Sequence, residues 1–327
     1  MLSRLGPALA AFLMAIGPAA AGQFTFATID DPLDTSSSSF VVGINDTGVT
    51  AGGYKDSSGI FHGFTDAGGV FTPIDHPLAT IGTSANAINN AGTVVGYYTF
   101  NHGSSEQGFV YAGGSFSNFD NPHALTPGTT IPNGINNAGA IVGSFIGTDG
   151  LSHGFVDVGG TFTQIDNPSA PLAVGGTNIY SINDAGTMTG SYSDSAGTSH
   201  GFIDADGVFT EIIDPSAPTG CAGCGTLPVA INDAGAIVGI YFDAAQNVYS
   251  FLDVGGVFSP INDPAANFGS IVNDINNDGM IAGYYSEANG THGFVGTPTE
   301  STPEPASFAL LAVGVAGIGM CRRRSLR

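Results

Sequence analysis

One segment of the sequence has the residue types and spacing of half a calcium-binding loop. Asp274, Asn276 and Asp278 alternate with other residues and lead into Gly279, as the oxygen ligands and the glycine do in the first half of such a loop. The glutamate that a complete loop places at position 12 is missing, because Tyr285 stands there. Elsewhere in the chain the same segment recurs as an Asn/Asp/Gly stretch that favours a tight turn. A calcium site and a turn are therefore both open interpretations, and calcium is the only candidate cofactor.

A second set of residues with metal-binding chemistry is a histidine that recurs before a Gly-Phe pair. It occurs at His62, His153, His200 and His292, while Gln107 and Tyr249 occupy the two other equivalent positions. The ligands of one metal ion converge on one point, whereas these histidines are copies of one structural position. We therefore expect each histidine to hydrogen-bond a neighbouring unit rather than to contribute to a metal ring.

Two of the three cysteines form the short motif Cys221-Ala222-Gly223-Cys224. No histidine follows for haem attachment, and no second cysteine pair completes a zinc site. In an oxidising compartment the motif predicts a disulfide between Cys221 and Cys224. The sequence contains no nucleophile elbow, phosphate loop or metalloprotease helix, and we predict no catalytic residue.

These residues are embedded in a repeat. An isoleucine followed by Asn-Asn or Asn-Asp recurs every 44 to 49 residues, at Ile44, Ile88, Ile135, Ile182, Ile231 and Ile275. Each unit contains four short apolar segments separated by Asn/Asp/Gly turns, which adopt positive φ at little cost. Four antiparallel strands in this period are typical of one β-propeller blade.

The two ends of the repeat region complement each other. The last unit ends after its third predicted strand and has no fourth. Residues 23–32 match the fourth predicted strand of the first full unit, at 70–77. A closed ring accounts for this offset, because the N-terminal strand completes the last blade and leaves no open edge. The sequence therefore predicts an all-β fold, a six-bladed β-propeller closed by its N-terminal strand. The alternative is an irregular β-solenoid.

The charge is unevenly distributed along the chain. Lys55 is the only lysine or arginine between Arg4 and Arg322, and residues 22–300 contain 26 acidic side chains. Such a surface excludes nucleic acid binding, which requires lysine or arginine to neutralise phosphates. The acids either keep the protein soluble outside the cell or bind divalent cations.

The first 21 residues have the pattern of a secretory signal peptide. Arg4 supplies the positive charge, residues 9–16 the apolar stretch, and residues 19–21 the small side chains of a cleavage site. We therefore divide the chain into a signal peptide at 1–21, a repeat domain at 22–300 and a tail at 301–327.

The tail resembles the PEP-CTERM sorting signal of Gram-negative, polymer-producing bacteria. Pro303, Glu304 and Pro305 precede the apolar stretch 306–320, a predicted short transmembrane segment, and a basic cluster follows at Arg322, Arg323 and Arg324. The resemblance implies an exosortase-type protease as partner and a location outside the cell or on its surface once the tail is removed. An ordinary membrane anchor is the alternative.

The units are similar to the HAF repeat of bacterial extracellular proteins, which is named for a His-Ala-Phe triplet. The triplet is a variant here, since glycine replaces alanine in five units and Ser250 in one. The segment Ile-Asn-Asn/Asp-x-Gly matches more closely, and the resemblance spans about residues 40–295. It implies a β-propeller and an extracellular location, with no assigned catalytic residues.

The sequence favours a non-enzymatic protein associated with extracellular matrix or exopolysaccharide. A carbohydrate-active enzyme on a propeller scaffold is the alternative. An enzyme needs one site, so one or two units should contain inward acids that the others lack. The acids stand mostly at repeated positions, such as Asp75, Asp120, Asp166 and Asp214, which favours a structural or repeated binding role.

Overall fold

Short strands joined by turns make up the structure. The computed structural model describes residues 24–100, 105–171, 176–195, 198–218 and 224–299. The predicted all-β fold is confirmed, because no helix occurs in these ranges. Accordingly, none of the described residues belongs to a helix long and apolar enough to cross a membrane. The signal peptide, the sorting motif and the predicted transmembrane segment lie outside the described residues.

The strands pair antiparallel in sets of four, which we call groups 1 to 6. Short parallel pairings also join group 1 to group 2 and group 4 to group 5. Group 1 contains β2 (Phe40–Ile44), β3 (Thr50–Lys55), β4 (Phe61–Asp66) and β5 (Phe71–Pro73). Group 2 contains β6 (Gly82–Ile88), β7 (Val94–Phe100), β8 (Ser105–Ala112) and β9 (Ser115–Phe119). Group 3 contains β10 (Thr130–Ile135), β11 (Ile141–Ile146), β12 (Ser152–Val158) and β13 (Thr161–Ile165).

The second half of the chain repeats this arrangement. Group 4 contains β14 (Thr177–Ile182), β15 (Met188–Ser193), β16 (Ser199–Ala205) and β17 (Val208–Ile212). Group 5 contains β18 (Gly225–Ile231), β19 (Ile237–Phe242), β20 (Val248–Val254) and β21 (Val257–Ile261). Group 6 contains β22 (Ser270–Ile275), β23 (Ile281–Glu287), β24 (Gly290–Pro298) and, from the start of the chain, β1 (Phe24–Ile29).

The N-terminal strand completes group 6. β1 pairs antiparallel with β24, with Phe24 opposite Pro298 and Ile29 opposite Gly293. Phe26 packs edge-on against Phe294, with 5.3 Å between ring centroids. The outer edge of β24 is therefore paired, so that it is not left open to other chains.

Apolar side chains fill the space within and between the groups. A phenylalanine on the third strand of each group is almost fully buried: Phe64, Phe109, Phe155, Phe202, Phe251 and Phe294. One buried cluster joins Val238 and Leu252 of group 5 to Val272 and Ile281 of group 6. Strands covered on both faces are apolar almost throughout, which explains the continuous apolar runs in the sequence.

Turns and loops lie at opposite ends of the groups. The turn between the first and second strands has a glycine in the left-handed region, such as Gly139 at φ 81°. At the other end are the loops between second and third strands and the crossovers between groups, which differ in length from group to group. We call these the turn end and the loop end.

Candidate functional site

A central cavity lies among the first strands of the six groups. It has a volume of about 340 Å³, and residues of all six first strands and of the turns that follow them line it. Each first strand contains a bulge, which displaces one residue from the ladder and redirects its side chain. The displaced residues are Val42, Asn86, Asn133, Tyr180, Val229 and Asn273, and all six line the cavity.

A ring of asparagines links the groups at the turn end of this cavity. The side-chain nitrogen of each asparagine donates to the backbone carbonyl of the next, over 3.0 to 3.2 Å, and the last one donates to the first. Each side-chain oxygen accepts the backbone N–H four residues on. The ring consists of Asn45, Asn89, Asn136, Asn183, Asn232 and Asn276. These buried amides are hydrogen-bonded at both ends, as buried polar groups require.

The residues that follow the asparagines form a second ring. Each backbone N–H in it donates to a side-chain oxygen of the next member, over 2.8 to 2.9 Å. Its members are Asp46, Asn90, Asn137, Asp184, Asp233 and Asn277. Burial opposes the charge of Asp46, but hydrogen bonds from Asn90 and Asn277 hold the pKa of this carboxyl below its ordinary value. Asp46 therefore remains an anion at neutral pH.

Asp274 breaks the symmetry of the cavity. The residue before the repeated isoleucine is small in the other five groups, where it is Gly43, Ala87, Gly134, Ser181 or Ala230. In group 6 the Asp274 carboxylate lines the cavity and accepts the N–H of Ile44 at 2.8 Å and of Ile275 at 2.9 Å. Burial raises the pKa of Asp274 to about 7, although these two hydrogen bonds oppose the rise. A carboxyl with such a pKa can donate or accept a proton at neutral pH.

From the sequence, Asp274 was expected only as a metal candidate, and neither its position in the cavity nor its raised pKa was predicted. We considered it with Asn276 and Asp278 as a metal candidate, and the structure brings only the first two to the cavity wall. The Asn276 oxygen accepts the N–H groups of Asp278 and Met280 at 3.1 and 2.9 Å, as in a turn. Within the described ranges no group of three or more His, Cys, Asp or Glu could hold a metal ion. The unique acid could have been found by comparing the residues that precede the repeated isoleucine.

Of the two cysteines predicted to form a disulfide, only one lies within the described residues. Cys224 is disulfide-bonded and almost fully buried. Cys221 lies outside the described residues, and its pairing with Cys224 stays a prediction.

At the loop end, each recurring histidine lies between two carboxylates. His62 contacts Asp75 at 3.1 Å and Asp56 at 3.6 Å. His153 contacts Asp166 and Asp149 at 3.0 and 3.1 Å. The other two clusters are His200 with Glu211 and Asp194, at 2.8 and 3.2 Å, and His292 with Asp30 and Glu287, at 2.8 and 3.4 Å. We call these four sets the histidine clusters.

In three of the clusters the carboxylates favour the charged form of the histidine. Burial opposes that charge, but hydrogen bonds to the paired carboxylates outweigh it and raise the pKa of His62, His153 and His200 above the ordinary value. Each of these rings also packs on an aromatic ring of the second strand, as His200 stacks on Tyr192 with 4.9 Å between centroids. The histidine clusters are therefore held in fixed positions.

The structure corrects two expectations about these residues. The histidines bond carboxylates of their own group and not of a neighbouring one. Asp214 is also not equivalent to Asp75, because its N–H donates to Thr226 just as the N–H of His76 donates to Thr83. In group 4 the position equivalent to Asp75 is occupied by Ile213, so His200 pairs with Glu211 instead.

Sequence comparison identifies the tail. Residues 301–324 match the PEP-CTERM protein-sorting motif, although they lie outside the described residues. The motif marks proteins that an exosortase processes during export, so this is an exported protein of the cell surface or the surroundings. No curated protein matches the chain.

The chain is also similar to solved structures, at low sequence identity. A protein of unknown function from Dyadobacter fermentans shares 11% identity and a TM-score of 0.53, covering 86% of this chain and all of that one. The fucose-recognising lectin of Aleuria aurantia, described as a six-bladed β-propeller, shares 11% identity over 83% of this chain and 98% of its own, with a TM-score of 0.48. A gluconolactonase from Xanthomonas campestris shares 14% identity over 86% and 92%, with a TM-score of 0.47.

Proposed function

We propose that the six groups are the blades of a six-bladed β-propeller closed by its N-terminal strand. Two observations support this proposal. The asparagine hydrogen bonds pass through all six groups and return to the first, and the first strand of the chain pairs with the last. An open solenoid, the alternative, would have no contact between Asn276 and Asn45.

We propose that the exported protein is a non-enzymatic binding protein of extracellular matrix or exopolysaccharide. The repetition of the histidine clusters supports this function. Their carboxylates are 27 to 51% exposed, and each keeps lone pairs that can accept sugar hydroxyl groups. All four clusters lie at the loop end, so that one polysaccharide chain could occupy several of them. Weak sites used together bind far more tightly than one site.

A glycan array and a pull-down with exopolysaccharide test this function. The full chain in mild detergent is compared with a variant that changes one carboxylate in each of the four clusters, Asp75→Asn, Asp166→Asn, Glu211→Gln and Asp30→Asn. We expect the parent to bind and the variant, with its fold verified by circular dichroism, to bind about 10-fold or more weakly. Repeating both assays with calcium and with EDTA tests whether calcium is required for binding. A parent that binds no glycan would contradict the function.

Asp274 favours a second candidate, a carbohydrate-active enzyme. It is the inward acid in a single group that an enzyme requires, and its pKa near 7 suits a general acid. The partner carboxylate would be Asp46, which lines the same cavity and is an anion. Release of reducing ends from polysaccharides tests this candidate, with Asp274→Asn expected to abolish release. Ser181→Asn, at the equivalent position of group 4, is the control that should retain it.

A further inference from the structure

A second pocket lies where group 1 meets group 6. It has a volume of about 430 Å³ and opens at the loop end, away from the asparagine ring. Its walls include Phe40, Lys55 and Phe61 of group 1 and Asn273, Tyr284 and Thr291 of group 6. Three aromatic rings, one cation and several hydrogen-bonding groups thus surround one space.

Lys55 has no acidic partner despite the acidity of the domain. It is the only lysine or arginine in residues 22–300, which contain 26 acids. Among the described residues every ion pair within 4.0 Å involves a histidine, and none involves Lys55. Its ammonium group lies instead over the ring of Phe61, 5.0 Å from the centroid. The cation is therefore available to a ligand.

The backbone around Lys55 and Phe61 is fixed. Ser38 Oγ accepts the N–H of Lys55 and donates to its carbonyl, both at 2.8 Å. The N–H of Phe61 donates to Ile81 at 3.0 Å, and Phe40 packs edge-on to Phe61 with 6.4 Å between centroids. Phe61 is still 39% exposed, so part of its side chain can contact a ligand. Such a site is organised before a ligand arrives.

Only group 1 combines a cation with an aromatic ring at this position. Lys55 is directly opposite Phe61 in the ladder of β3 and β4. The equivalent pairs in groups 2 to 6 are Thr99–Glu106, Ile146–Ser152, Ser193–Ser199, Phe242–Val248 and Ser286–Thr291. Within the part of the chain that the structure describes, this pair therefore occurs once, unlike the histidine clusters.

We propose that this pocket binds a carboxylated sugar residue, such as a hexuronate, within an extracellular glycan. The Lys55 ammonium would pair with the sugar carboxylate, and the apolar C–H face of the sugar ring would pack on Phe61. Asn273 and Thr291 would bond hydroxyl groups on the other side. The proposal deepens the glycan-binding function above and rests on it.

The negative charge of the domain restricts which carboxylated glycans the pocket can bind. With 26 acids and one base, residues 22–300 have a net charge of −25, which repels a run of consecutive uronates within the Debye length of about 8 Å at physiological salt. A single acidic residue in a mainly neutral glycan avoids most of this repulsion. The pocket therefore selects an isolated uronate over a polyuronate.

Titration calorimetry with the full chain in mild detergent tests the site. The probes are a neutral oligosaccharide with one glucuronate and the same compound with that carboxyl reduced to an alcohol. We expect the parent to bind the acid at least about 10-fold more tightly, as a charge-assisted hydrogen bond implies. Lys55→Met should remove this preference, and Lys55→Arg should retain it. Phe61→Ala should weaken the binding of both probes.

The outcomes separate this site from the general function. Equal binding of the two probes by the parent, or an unchanged preference in folded Lys55→Met, would overturn the pocket assignment. If the array still shows glycans that depend on the histidine clusters, the proposed function survives that result. Absence of binding to either probe and to every array glycan would overturn both.

Discussion

The side-chain nitrogen of Asn276 donates a hydrogen bond to the backbone carbonyl of Asn45, 3.0 Å away and 231 residues earlier in the chain. The same bond links each of the other neighbouring groups, over separations of 44 to 49 residues. Loops and crossovers of different length therefore leave the centre unchanged, because one short side chain sets the spacing there. Variation is confined to the loop end, where both proposed binding surfaces lie.

Replacing one asparagine of the ring tests how much it stabilises the fold. In Asn136→Ala the buried N–H of Ala140 loses its partner, whereas the carbonyl of Asn183 loses one bond but still accepts the N–H of Gly186. We expect a loss of about 1–3 kcal/mol in the free energy of unfolding, the cost of one unsatisfied buried group. Urea unfolding of parent and variant measures it.

Asn137→Ala is the matched control for that experiment. Asn137 follows in the sequence and also hydrogen-bonds the next group, through Asp184 at 2.9 Å, but it is exposed. Water can replace its bonds, so a loss below about 1 kcal/mol is expected. Equal losses in the two variants would contradict the role of the buried ring.

The raised pKa of Asp274 predicts that stability falls as the pH rises. Between the ordinary value of 3.8 and about 7, the folded protein keeps a proton that the unfolded chain releases, so folding becomes less favourable with increasing pH. Above pH 7 the cost reaches about 4 kcal/mol at most. Asp274→Asn should remove this part of the pH dependence and stabilise the protein at pH 8.

Urea unfolding from pH 4 to pH 8 measures this effect. Ser181→Asn places the same amide at the equivalent position of group 4 and should leave the pH profile of the parent unchanged. Parallel profiles for the parent and Asp274→Asn would show that the carboxyl does not titrate in this range.

His153→Gln tests the electrostatics of a histidine cluster. Because the pKa of His153 is raised, the charged ring stabilises the fold fully below pH 6.5, and this contribution disappears as the pH rises through the folded value. The cluster is partly exposed and screened, so the effect should stay below about 1 kcal/mol. We expect the largest difference between parent and variant near pH 6 and the smallest near pH 9.

Histidine ring signals in NMR titrations provide the direct measurement. In the parent the His153 signal should titrate above pH 6.5, and its assignment follows from its loss in His153→Gln. The glutamine is a suitable replacement because Gln107 at the equivalent position donates to the carbonyl groups of Gly108 and Phe119. Titration of His153 below pH 6.5 would contradict the cluster.

Two glycines of group 3 have different reasons to be glycine. A Cβ on Gly143 would lie 2.0 Å from the carbonyl oxygen of Ile131, whereas one on Gly139 would meet nothing within 4 Å. Gly143→Ala must therefore displace a strand, with a loss above about 3 kcal/mol or failure to fold. In Gly139→Ala the only unfavourable feature is the φ of 81°, which an alanine adopts at a cost of about 1–2 kcal/mol. Thermal unfolding compares them, and similar midpoints would contradict this distinction.

The sequence predicted the strands because each motif has a local cause. Asn-x-Gly turns require positive φ and a side-chain acceptor, and both requirements are visible in a single unit. The pairing of the first strand with the last was also predictable, since residues 23–32 repeat a pattern that the last unit lacks. Periodic features of this kind can be predicted without knowing how the groups pack against each other.

The features that make the molecule asymmetric were not predictable in the same way. Asp214 was assigned to the wrong position because an isoleucine replaces the expected acid and an aspartate follows it, which preserves an Asp-Pro pattern. The Lys55 pocket depends on group 6 lying beside group 1, which brings Thr291 and Asn273 next to a lysine more than 200 residues away. The environment of Asp274 depends on the adjacent bulge and on the approach of group 1, and a sequence pattern shows neither.

The pairing of β1 with β24 also determines when the protein can fold. Ile29 has no strand partner until Gly293 has been synthesised and translocated, so the last group is completed only after the other five. Contacts between such distant residues form slowly. Until this pairing forms, the unpaired strand edges remain open to other chains.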